Sequence, residues 1–274
     1  MAKRILVTGG NAGIGFALCK QLVLEKKCFV YMGSRSEDKG KAAVQSIVAE
    51  APAELKSNIV FVQLDVTNEK TIEAAAATAK TGGPLYAIVN NAGTGLQHGT
   101  SEEAIVDTNL YGPKRVCDTF IPLLEPGGRI VNVGSGAGPI WMRNQDVPTK
   151  KLFTNPDVTW EEIDAKVQAE LKKPKEGMGA YGYTKAALTA YTMFLAKSFP
   201  KFVISCITPG FIDTAIVKGW GATKPPEEGT VSIHHCLWNE LPGSGYFWGS
   251  DAKRSQLCVL RNPGEPEYNG EPEV

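Results

Sequence analysis

A tyrosine and a lysine four positions apart are the residues of this chain best suited to chemistry. They are Tyr181 and Lys185, in the segment YGYTK. On a helix this spacing stacks the two side chains on one face. An ammonium about 5 Å from a phenol, at an effective dielectric of about 20, stabilises the phenolate by roughly 3 kcal/mol and lowers the phenol pKa by about two units. The pair therefore predicts a phenol that acts as an acid near neutral pH, unless the spacing is a coincidence on an exposed helix face.

Glycines follow the first apolar run of the chain. Residues 8–15 read TGGNAGIG and lead into an amphipathic helix. Glycines let the backbone turn sharply and approach a pyrophosphate, whose charge is met by free amides and by the positive end of the helix. The alternative is a glycine-rich turn of an unspecialised α/β protein. The dinucleotide interpretation assigns cofactor contacts to Gly9, Asn11, Gly13, Ile14 and Gly15.

No carboxylate follows the second predicted strand until Glu37, since the intervening residues are Gly33-Ser34-Arg35-Ser36. A carboxylate at this place binds the ribose hydroxyls of NAD and repels the 2′-phosphate of NADP. Arg35, with Asn11 and Ser34, could instead bind that phosphate through charge-assisted hydrogen bonds of roughly 1.5–3 kcal/mol. The segment therefore favours NADPH, with a solvated surface arginine as the alternative.

Two further segments stand at the ends of predicted strands. Asp65 and Val66 follow the third strand, where the carboxylate either accepts a bond from an adenine amino group or caps the next helix. NNAG at 90–93 follows the fourth strand, at the sheet edge where open α/β folds bind ligands. Its small residues would let the backbone lie against a cofactor, whereas the alternative is a plain Asn-rich turn. The predicted contacts are Asp65, Val66, Asn91, Ala92 and Gly93.

These segments lie between apolar, β-branched runs that alternate with stretches of helical periodicity. Runs that are apolar on both faces and separated by helices indicate a parallel sheet covered on both sides. The sequence therefore predicts a doubly wound, Rossmann-type α/β fold in a single domain spanning residues 1–274. The predicted strands are Arg4–Val7, Phe29–Met32, Ile59–Gln63, Tyr86–Asn90, Arg129–Val133 and Val203–Ile207. The predicted helices are Ile14–Glu25, Lys39–Glu50, Glu69–Lys80, Glu102–Leu124 and Tyr181–Ser198.

Residues 139–179 and 263–274 depart from this alternation. The first segment is rich in proline and holds one predicted helix, which begins at a capping box formed by Thr159 and Glu162. It is predicted to be a docked flap, because one helix face carries Trp160, Ile163, Val167 and Leu171. The second segment is predicted to be a solvated, poorly ordered acidic end, because prolines and glycines surround Glu265, Glu267, Glu271 and Glu273.

The overall composition narrows the class of ligand. The 274 residues include 29 basic and 29 acidic side chains, a net charge of zero that provides no field for nucleic acid or an anionic membrane. No apolar run is long enough for a membrane span or a signal peptide. The six cysteines show neither metal-ligand nor disulfide spacing, so no metal site is predicted and buried thiols in a reducing cytoplasm are expected. We therefore expect a small-molecule ligand.

Taken in chain order, the motifs are similar to those of one family. TGGNAGIG at 8–15, NNAG at 90–93, Asn109 in DTNLYG, Ser135 after IVNVG, YGYTK at 181–185 and TPGFIDT at 208–214 resemble the short-chain dehydrogenases/reductases and span almost the whole chain. The long segment before Tyr181, and ATKPPEEG at 222–229, resemble the monomeric carbonyl reductases and their plant relatives, which include reductases of terpenoid and alkaloid ketones.

The resemblance implies a role for each matched residue. Tyr181 would donate the proton in carbonyl reduction, Lys185 would bind the nicotinamide ribose and hold the tyrosine pKa down, and Ser135 would hydrogen-bond the carbonyl oxygen. Asn109 would fix a water that connects the lysine to solvent. Thr214 would contact the nicotinamide carboxamide. The implied cofactor-binding segment around it includes Pro209, Gly210, Ile212 and Thr214. The resemblance also implies a monomer, because the insertion before Tyr181 occupies the surface where family members usually pair.

Two features depart from the family pattern. Gly134 stands where a serine is frequent, and the segment between Gly93 and Asn109 is short, which is expected to open one pocket wall. Apolar residues beside the motifs either line a substrate cavity or pack beneath the flap. These are Trp141, Met142, Phe211, Ile212 and Trp220.

The expected activity is the NADPH-dependent reduction of a ketone, aldehyde or quinone to an alcohol. Two alternatives stay open: an NADP-dependent alcohol dehydrogenase that works in the oxidative direction, and a regulator that senses NADPH without turnover. The complete set of Asn109, Ser135, Tyr181 and Lys185 argues against the regulator, since a sensor has no use for a positioned acid.

Overall fold

A parallel sheet forms the centre of the molecule. The computed structural model describes residues 2–95, 100–173 and 179–274, and within them seven strands pair in the order β3-β2-β1-β4-β5-β6-β7. The strand order reverses between β1 and β4, which opens a crevice at their carboxyl ends. This arrangement confirms the predicted doubly wound fold. The strands are β1 Arg4–Val7, β2 Phe29–Ser34, β3 Ile59–Gln63, β4 Leu85–Asn90, β5 Leu124–Val133, β6 Val203–Ile207 and β7 Tyr246–Trp248.

Helices cover both faces of this sheet. In β1, Ile5 and Val7 belong to one hydrophobic core cluster and Leu6 belongs to the other, because successive side chains of a strand point to opposite faces. Both faces are therefore buried, as predicted. No helix of the described part of the chain has the length and apolarity required to cross a membrane. The helices are α1 Gly13–Leu24, α2 Glu37–Glu50, α3 Glu69–Thr81, α4 Glu102–Val106, α5 Gly112–Phe120, α6 Ala137–Arg143, α7 Val147–Thr154, α8 Trp160–Leu171, α9 Gly179–Ser198 and α10 Val231–Trp238.

The predicted helix Glu102–Leu124 is wrong as a single element. It is divided into α4, a π-helical stretch Asp107–Tyr111, α5 and a 3₁₀ turn Ile121–Leu123. Pro113 has no N–H to donate to the carbonyl four residues earlier, which favours the wider π turn at this place. The apolar periodicity continues through the break, so the sequence pattern does not reveal it. The short elements β7 and α10 were not predicted either.

The flap is more helical than predicted. Besides α8, it contains α6 and α7, which are seven and eight residues long and each include a proline. The capping box between Thr159 and Glu162 is present, and Ile163 and Val167 are fully buried. Trp160 packs edge-on against Tyr191 of α9, with ring centroids 5.6 Å apart. The described part of the flap is therefore docked on α9, as predicted, whereas its residues 174–178 lie outside the described range.

The acidic end of the chain, residues 263–274, forms no helix or strand and is mostly exposed, as predicted, but two of its carboxylates are hydrogen-bonded to the rest of the chain. Glu273 accepts hydrogen bonds from the main-chain amides of Leu257 and Cys258 at 2.7–2.9 Å. Glu267 accepts from the amide of Arg254 at 2.9 Å. The composition predicts this exposure, but it does not predict that these carboxylates bind backbone donors of a preceding loop, because the partners are more than ten positions apart. Residues 263–274 therefore fold back on the chain.

Candidate active site

The predicted catalytic residues meet at the carboxyl end of the sheet. Ser135 comes two residues after β5, and Asn109 lies in the π-helical stretch. Tyr181 and Lys185 lie in the first turns of α9, which the chain packs against that same edge. The structure thus brings together all four residues that the motifs singled out.

Two of these side chains are accessible and two are buried. Ser135 and Tyr181 are both partly exposed, and their side chains hydrogen-bond to each other. Lys185 is only 5% exposed, and its Nζ donates a 2.8 Å hydrogen bond to the carbonyl oxygen of Val133. That Nζ lies 5.7 Å from the centroid of the Tyr181 ring. A small molecule can therefore reach the two hydroxyls but not the ammonium directly.

The acidity of this pair differs from the prediction. Burial raises the pKa of Tyr181 above its usual value, and the hydrogen bond from Ser135 opposes this only in part. In this structure the loss of solvation outweighs the stabilisation of the phenolate that the spacing predicts, so the net pKa of Tyr181 is raised rather than lowered. Burial likewise lowers the pKa of Lys185 to about 8, against a weak opposing effect from Cys206. Loss of solvation dominates at Lys185 because its ammonium is paired with a neutral carbonyl rather than with an anion.

This electrostatic arrangement predicts the pH dependence of the site. Lys185 is charged below its pKa of about 8 and neutral above it, while Tyr181, with a raised pKa, stays protonated throughout. We expect kcat for carbonyl reduction to be constant at low pH and to fall as the pH rises through about 8, because the cation that stabilises the developing phenolate is lost. Steady-state assays at saturating substrate from acid to alkaline pH test this, and a flat profile would contradict it.

Asn109 clamps the loop that follows β4. Its Oδ1 accepts from the amide of Thr94 and its Nδ2 donates to the carbonyl of Thr94, both at 2.8 Å. The side chain is only 1% exposed. The amide oxygen keeps a second lone pair and the amide nitrogen a second hydrogen, so these bonds leave the predicted role of Asn109 in fixing a water open. That role stays a prediction.

The glycine-rich loop is built for close backbone approach. Gly9 has φ +62° and Gly13 has φ +53°, values that favour glycine. A Cβ on Gly9 would lie 2.9 Å from the Cα of Ala92, and a Cβ on Gly15 would lie 2.4 Å from the side-chain nitrogen of Asn91. The loop after β4 is thus pressed against the loop after β1. The amino end of α1 points into the space beside them, as a pyrophosphate site requires.

Thr8 and Asn91 hold these two loops together. Thr8 Oγ1 accepts from the amides of Asn91 and Ala92 at 3.0 Å. Asn91 Nδ2 donates to the carbonyls of Thr8 and Gly9 at 2.9 and 3.2 Å. The sequence analysis did not give Thr8 a role of its own, although its position at the end of a buried strand was a usable signal. Asn91 therefore uses its side-chain nitrogen to hold the loop in place, and this nitrogen is not a free polar group.

Arg35 lies at the end of β2, where its side chain could bind the 2′-phosphate of a cofactor. Arg35 is exposed and forms no ion pair with any residue in the described ranges. Asn11, in the glycine-rich loop, is partly exposed. Ser34 differs from its prediction, since it is 1% exposed and its hydroxyl donates to the Ser36 carbonyl at 2.9 Å. The structure therefore leaves Arg35 and Asn11, but not the Ser34 side chain, for a phosphate.

Asp65 does not cap α3. Asn68 is the capping residue, and its side chain accepts from the amide of Lys70. Asp65 Oδ1 accepts from the amide and hydroxyl of Thr67 at 3.0 and 2.7 Å. The capping alternative is therefore wrong, and the adenine contact stays as the prediction for Asp65. Val66 beside it is buried.

The segment after β6 reaches the glycine-rich loop. A Cβ on Gly13 would lie 3.3 Å from Cγ2 of Thr214, so the two residues are neighbours. Ile212 is buried and packs beside Ile14 around Gly229. Gly210 has φ +89°, which turns the chain after Pro209 toward the crevice. The predicted cofactor segment and the predicted pyrophosphate loop thus form adjoining walls.

These geometric features agree with a comparison against known families. A family model described as short chain dehydrogenase matches residues 3–146. The chain belongs to the short-chain dehydrogenase family. Its relatives include (-)-isopiperitenone reductase of Mentha piperita, 33% identical over 90% of this chain and 96% of that protein. Carbonyl reductase [NADPH] 1 of Mus musculus is 31% identical over 82% of this chain and 86% of that protein.

Solved structures agree with this assignment. The structure of salutaridine reductase from Papaver somniferum superposes with a TM-score of 0.79 and 30% identity. It covers 89% of this short-chain dehydrogenase and 99% of the other chain. The family and the fold that the motifs resembled are therefore confirmed.

In this short-chain dehydrogenase, the glycine that replaces the frequent serine before Ser135 has a steric cause. A Cβ on Gly134 would lie 2.7 Å from Sγ of Cys206 and 2.9 Å from the carbonyl oxygen of Ile207. Cys206 is fully buried on the neighbouring strand. The thiol therefore occupies the space that a side chain at position 134 would need.

This contact predicts a measurable coupling. We expect Gly134→Ala to lower the free energy of unfolding by roughly 1–3 kcal/mol, because the added methyl overpacks a fully buried site. Cys206→Ala should recover part of that loss in the double variant, since it removes the sulfur but leaves the Ile207 carbonyl. Denaturant unfolding of the wild type, both single variants and the double variant measures the coupling. Strictly additive effects would contradict the explanation.

The predicted apolar cavity residues divide into two groups in this short-chain dehydrogenase. Met142 and Ile212 are buried, and Trp141 packs on Phe153 with ring centroids 6.0 Å apart, so these three belong to the core. Phe211 and Trp220 are 50% and 53% exposed. Packing, the second of the two alternatives, therefore holds for Trp141, Met142 and Ile212, whereas Phe211 and Trp220 form accessible apolar surface.

Ile216 is a site neighbour that the sequence analysis missed. A Cβ on Gly95 would lie 2.5 Å from Cγ2 of Ile216 and 3.8 Å from Cε2 of Tyr181. Ile216 and the Tyr181 ring thus approach Gly95 from different elements. The proximity of Ile216 to Tyr181 depends on how the segment after β6 folds over the site, and no local sequence motif indicates it.

Proposed function

We propose that this short-chain dehydrogenase reduces the carbonyl of an apolar ketone, aldehyde or quinone to an alcohol with NADPH. The observation that supports this most directly is the hydrogen-bonded, partly exposed pair of Ser135 and Tyr181 beside the buried Lys185. This arrangement offers two hydroxyl donors to one oxygen atom, next to a loop suited to a dinucleotide.

The residues of the chain fit the cofactor. Gly9, Gly13 and Gly15 form a cradle that side chains would fill, and the amino end of α1 faces it. The exposure of Arg35 at the end of β2 supports a contact with the 2′-phosphate, and the position of Asp65 just after β3 supports one with the adenine. Thr214 lies beside Gly13, which supports a contact with the nicotinamide end.

The chemistry is divided between the cofactor and the chain. Bound NADPH would supply the hydride that the carbonyl carbon accepts. Ser135 donates a hydrogen bond to the carbonyl oxygen as negative charge develops there. Tyr181 transfers its phenolic proton to that oxygen, which completes the alcohol and leaves a phenolate. Lys185 stabilises the phenolate, and Asn109 connects the lysine to solvent through a water so that Tyr181 is protonated again.

A spectrophotometric screen tests the function. We expect NADPH absorbance to fall when the purified protein is mixed with aromatic aldehydes, diketones, cyclic terpenoid ketones or quinones, and we expect NADH to be a poorer donor. Reaction of the matching alcohols with NADP tests the oxidative direction as the alternative. A sensor, the second alternative, would bind NADPH without any loss of absorbance for every carbonyl tried.

Exposed apolar side chains in the segment after β6, which also carries Ile216, support an apolar substrate class. Phe211 and Trp220 are exposed large apolar residues, and Ile216 lies near the Tyr181 ring. An apolar carbonyl compound would bury this surface, whereas a sugar or a nucleotide would not. A screen ordered by substrate hydrophobicity should therefore show KM falling as apolar area rises.

We also propose that the protein is monomeric and cytoplasmic. In support, α8 of the flap packs on α9 through Trp160 and Tyr191, on the helix that usually pairs between subunits in the family. The Tyr111 hydroxyl donates to Asp164, which joins α8 of the flap to the π-helical stretch. Light scattering coupled to gel filtration should give the mass of one chain.

A further inference from the structure

The carboxylate of Glu273 forms a latch at the end of the chain. Its two oxygens accept hydrogen bonds from the amide of Leu257 at 2.9 and 2.8 Å, and one of them also accepts from the amide of Cys258 at 2.7 Å. Charge-assisted hydrogen bonds to two consecutive amides are strong and directional. The penultimate residue therefore holds a loop that lies 15 to 16 positions earlier in the chain.

The latched loop, residues 255–261, lies against the elements that position the catalytic hydroxyls. We call it the strap. Cys258 is 4% exposed and belongs to the larger core cluster. Leu257 lines a small internal cavity together with Gly138 and Met142 of α6 and Ala186 and Thr189 of α9. The strap thus covers the junction between α6 and α9.

That junction sets the position of Ser135 relative to Tyr181. A Cβ on Gly138 would lie 3.1 Å from the main-chain nitrogen of Ala186, the residue after Lys185, so α6 and α9 cross backbone to backbone. Ser135 Oγ accepts from the amide of Ala137 in the first turn of α6 at 3.2 Å. A shift of α6 therefore moves the Ser135 hydroxyl.

The strap also reaches the turn beside Ser135 directly. A Cβ on Gly136 would lie 2.9 Å from Cδ1 of Leu260. The far end of the strap is anchored by Arg261, whose guanidinium pairs with Asp251 and donates to the Ser255 hydroxyl at 3.0 Å. Leu260 is thus held over Gly136 between two anchors, Arg261 on one side and the Glu273 latch on the other.

We propose that Glu273 is a positioning residue for carbonyl reduction, and that it acts through Leu257 and Leu260 on the Ser135 turn. The inference rests on the proposed function. Because Ser135 contacts the carbonyl oxygen, loosening the strap would impair the use of the carbonyl substrate. Among the described residues no hydrogen bond or ion pair joins the glycine-rich loop or Arg35 to the strap, so we expect NADPH binding to stay unchanged.

Kinetics of matched variants test the positioning role. We expect Glu273→Ala to lower kcat/KM for the carbonyl substrate roughly tenfold while KM for NADPH stays unchanged. Glu273→Gln keeps one acceptor oxygen and should lie in between. Glu271→Ala is the control, because it removes an acidic side chain two residues away that accepts no hydrogen bond from a described residue. Equal kinetics for Glu273→Ala and Glu271→Ala would overturn the proposal.

The thiol of Cys258 reports on the latch without any turnover. All six cysteines are buried, so native labelling with a thiol reagent should be slow in the wild type. Because the Glu273 carboxylate also raises the pKa of the Cys258 thiol, the comparison is with Glu273→Gln, which lacks the same charge but keeps one acceptor oxygen. We expect labelling of Cys258, identified by peptide mass spectrometry, to be at least about tenfold faster in Glu273→Ala than in wild type and clearly faster than in Glu273→Gln, since the amide partner is lost only in the alanine variant. Unchanged labelling would overturn the latch. Faster labelling with unchanged carbonyl kinetics would overturn the positioning role, whereas a wild type without activity would refute the proposed function alone.

Discussion

Tyr181→Phe is expected to reduce kcat for carbonyl reduction by roughly a hundredfold to ten-thousandfold, the range that a positioned general acid contributes. The variant lacks only the hydroxyl that hydrogen-bonds with Ser135, and its ring keeps the packing near Lys185. Binding of NADPH should be nearly unchanged, because the pyrophosphate loop and Arg35 are untouched. Stopped-flow or steady-state assays give kcat, and quenching of protein fluorescence on titration with NADPH gives the affinity.

Tyr183→Phe is the matched control for this experiment. Tyr183 lies two positions further along α9, is 1% exposed and packs against Trp141, with ring centroids 6.2 Å apart. The Tyr183→Phe variant loses a phenolic hydroxyl at a place remote from the substrate surface. Its kcat should therefore stay close to that of the wild type. If Tyr181→Phe kept more than about a tenth of the activity, Tyr181 could not be the proton donor of a step to which such an acid contributes at least a hundredfold.

Arg35→Asp is expected to raise Kd for NADPH roughly a hundredfold or more, because it removes charge-assisted bonds to the 2′-phosphate and adds a repelling carboxylate. Affinity for NADH, which lacks that phosphate, should change little or improve. The exposure of Arg35 at the end of β2, without an ion pair to any described residue, makes the side chain free to act in this way. Calorimetric titration with each cofactor measures both affinities.

Lys56→Asp controls for the change of net charge. Lys56 is also exposed, but it precedes β3 and so lies at the amino edge of the sheet, away from the crevice. Its substitution should leave both cofactor affinities within a factor of about two, because exposed charges at this distance are screened. A similar loss of NADPH affinity in both variants would show that general electrostatics, rather than a phosphate contact, explains the preference.

The central sheet could be predicted because its signal is local. Runs such as Ile59–Gln63 and Val203–Ile207 are apolar on successive residues, and the structure has strands with these same bounds. The glycine spacing in residues 8–15 and the capping box at Thr159 are likewise short patterns with one physical meaning each. Local chemistry alone determines these features.

Other features depend on contacts between distant residues and escaped prediction for that reason. The break after α4 coincides with a side chain, Asn109, that is paired with Thr94, fifteen positions earlier. Ser34 is buried although its neighbour Arg35 stays exposed, because β2 lies between β1 and β3 in the sheet. The spacing of Tyr181 and Lys185 correctly indicated their proximity, but their acidities depend on burial, which the spacing does not contain. Electrostatics of a site can be derived only after its packing is known.

The crossing at Gly138 has a consequence for how such a scaffold can diversify. Since α6 and α9 meet through main-chain atoms there, no side chain separates the two hydroxyl-bearing elements. Residues on the outer surface of the flap can therefore be exchanged without altering the separation of the two reacting oxygens. Substitutions that change which ketones are accepted therefore need not disturb the proton transfer. Substrate specificity can evolve in this scaffold while the general acid keeps its position.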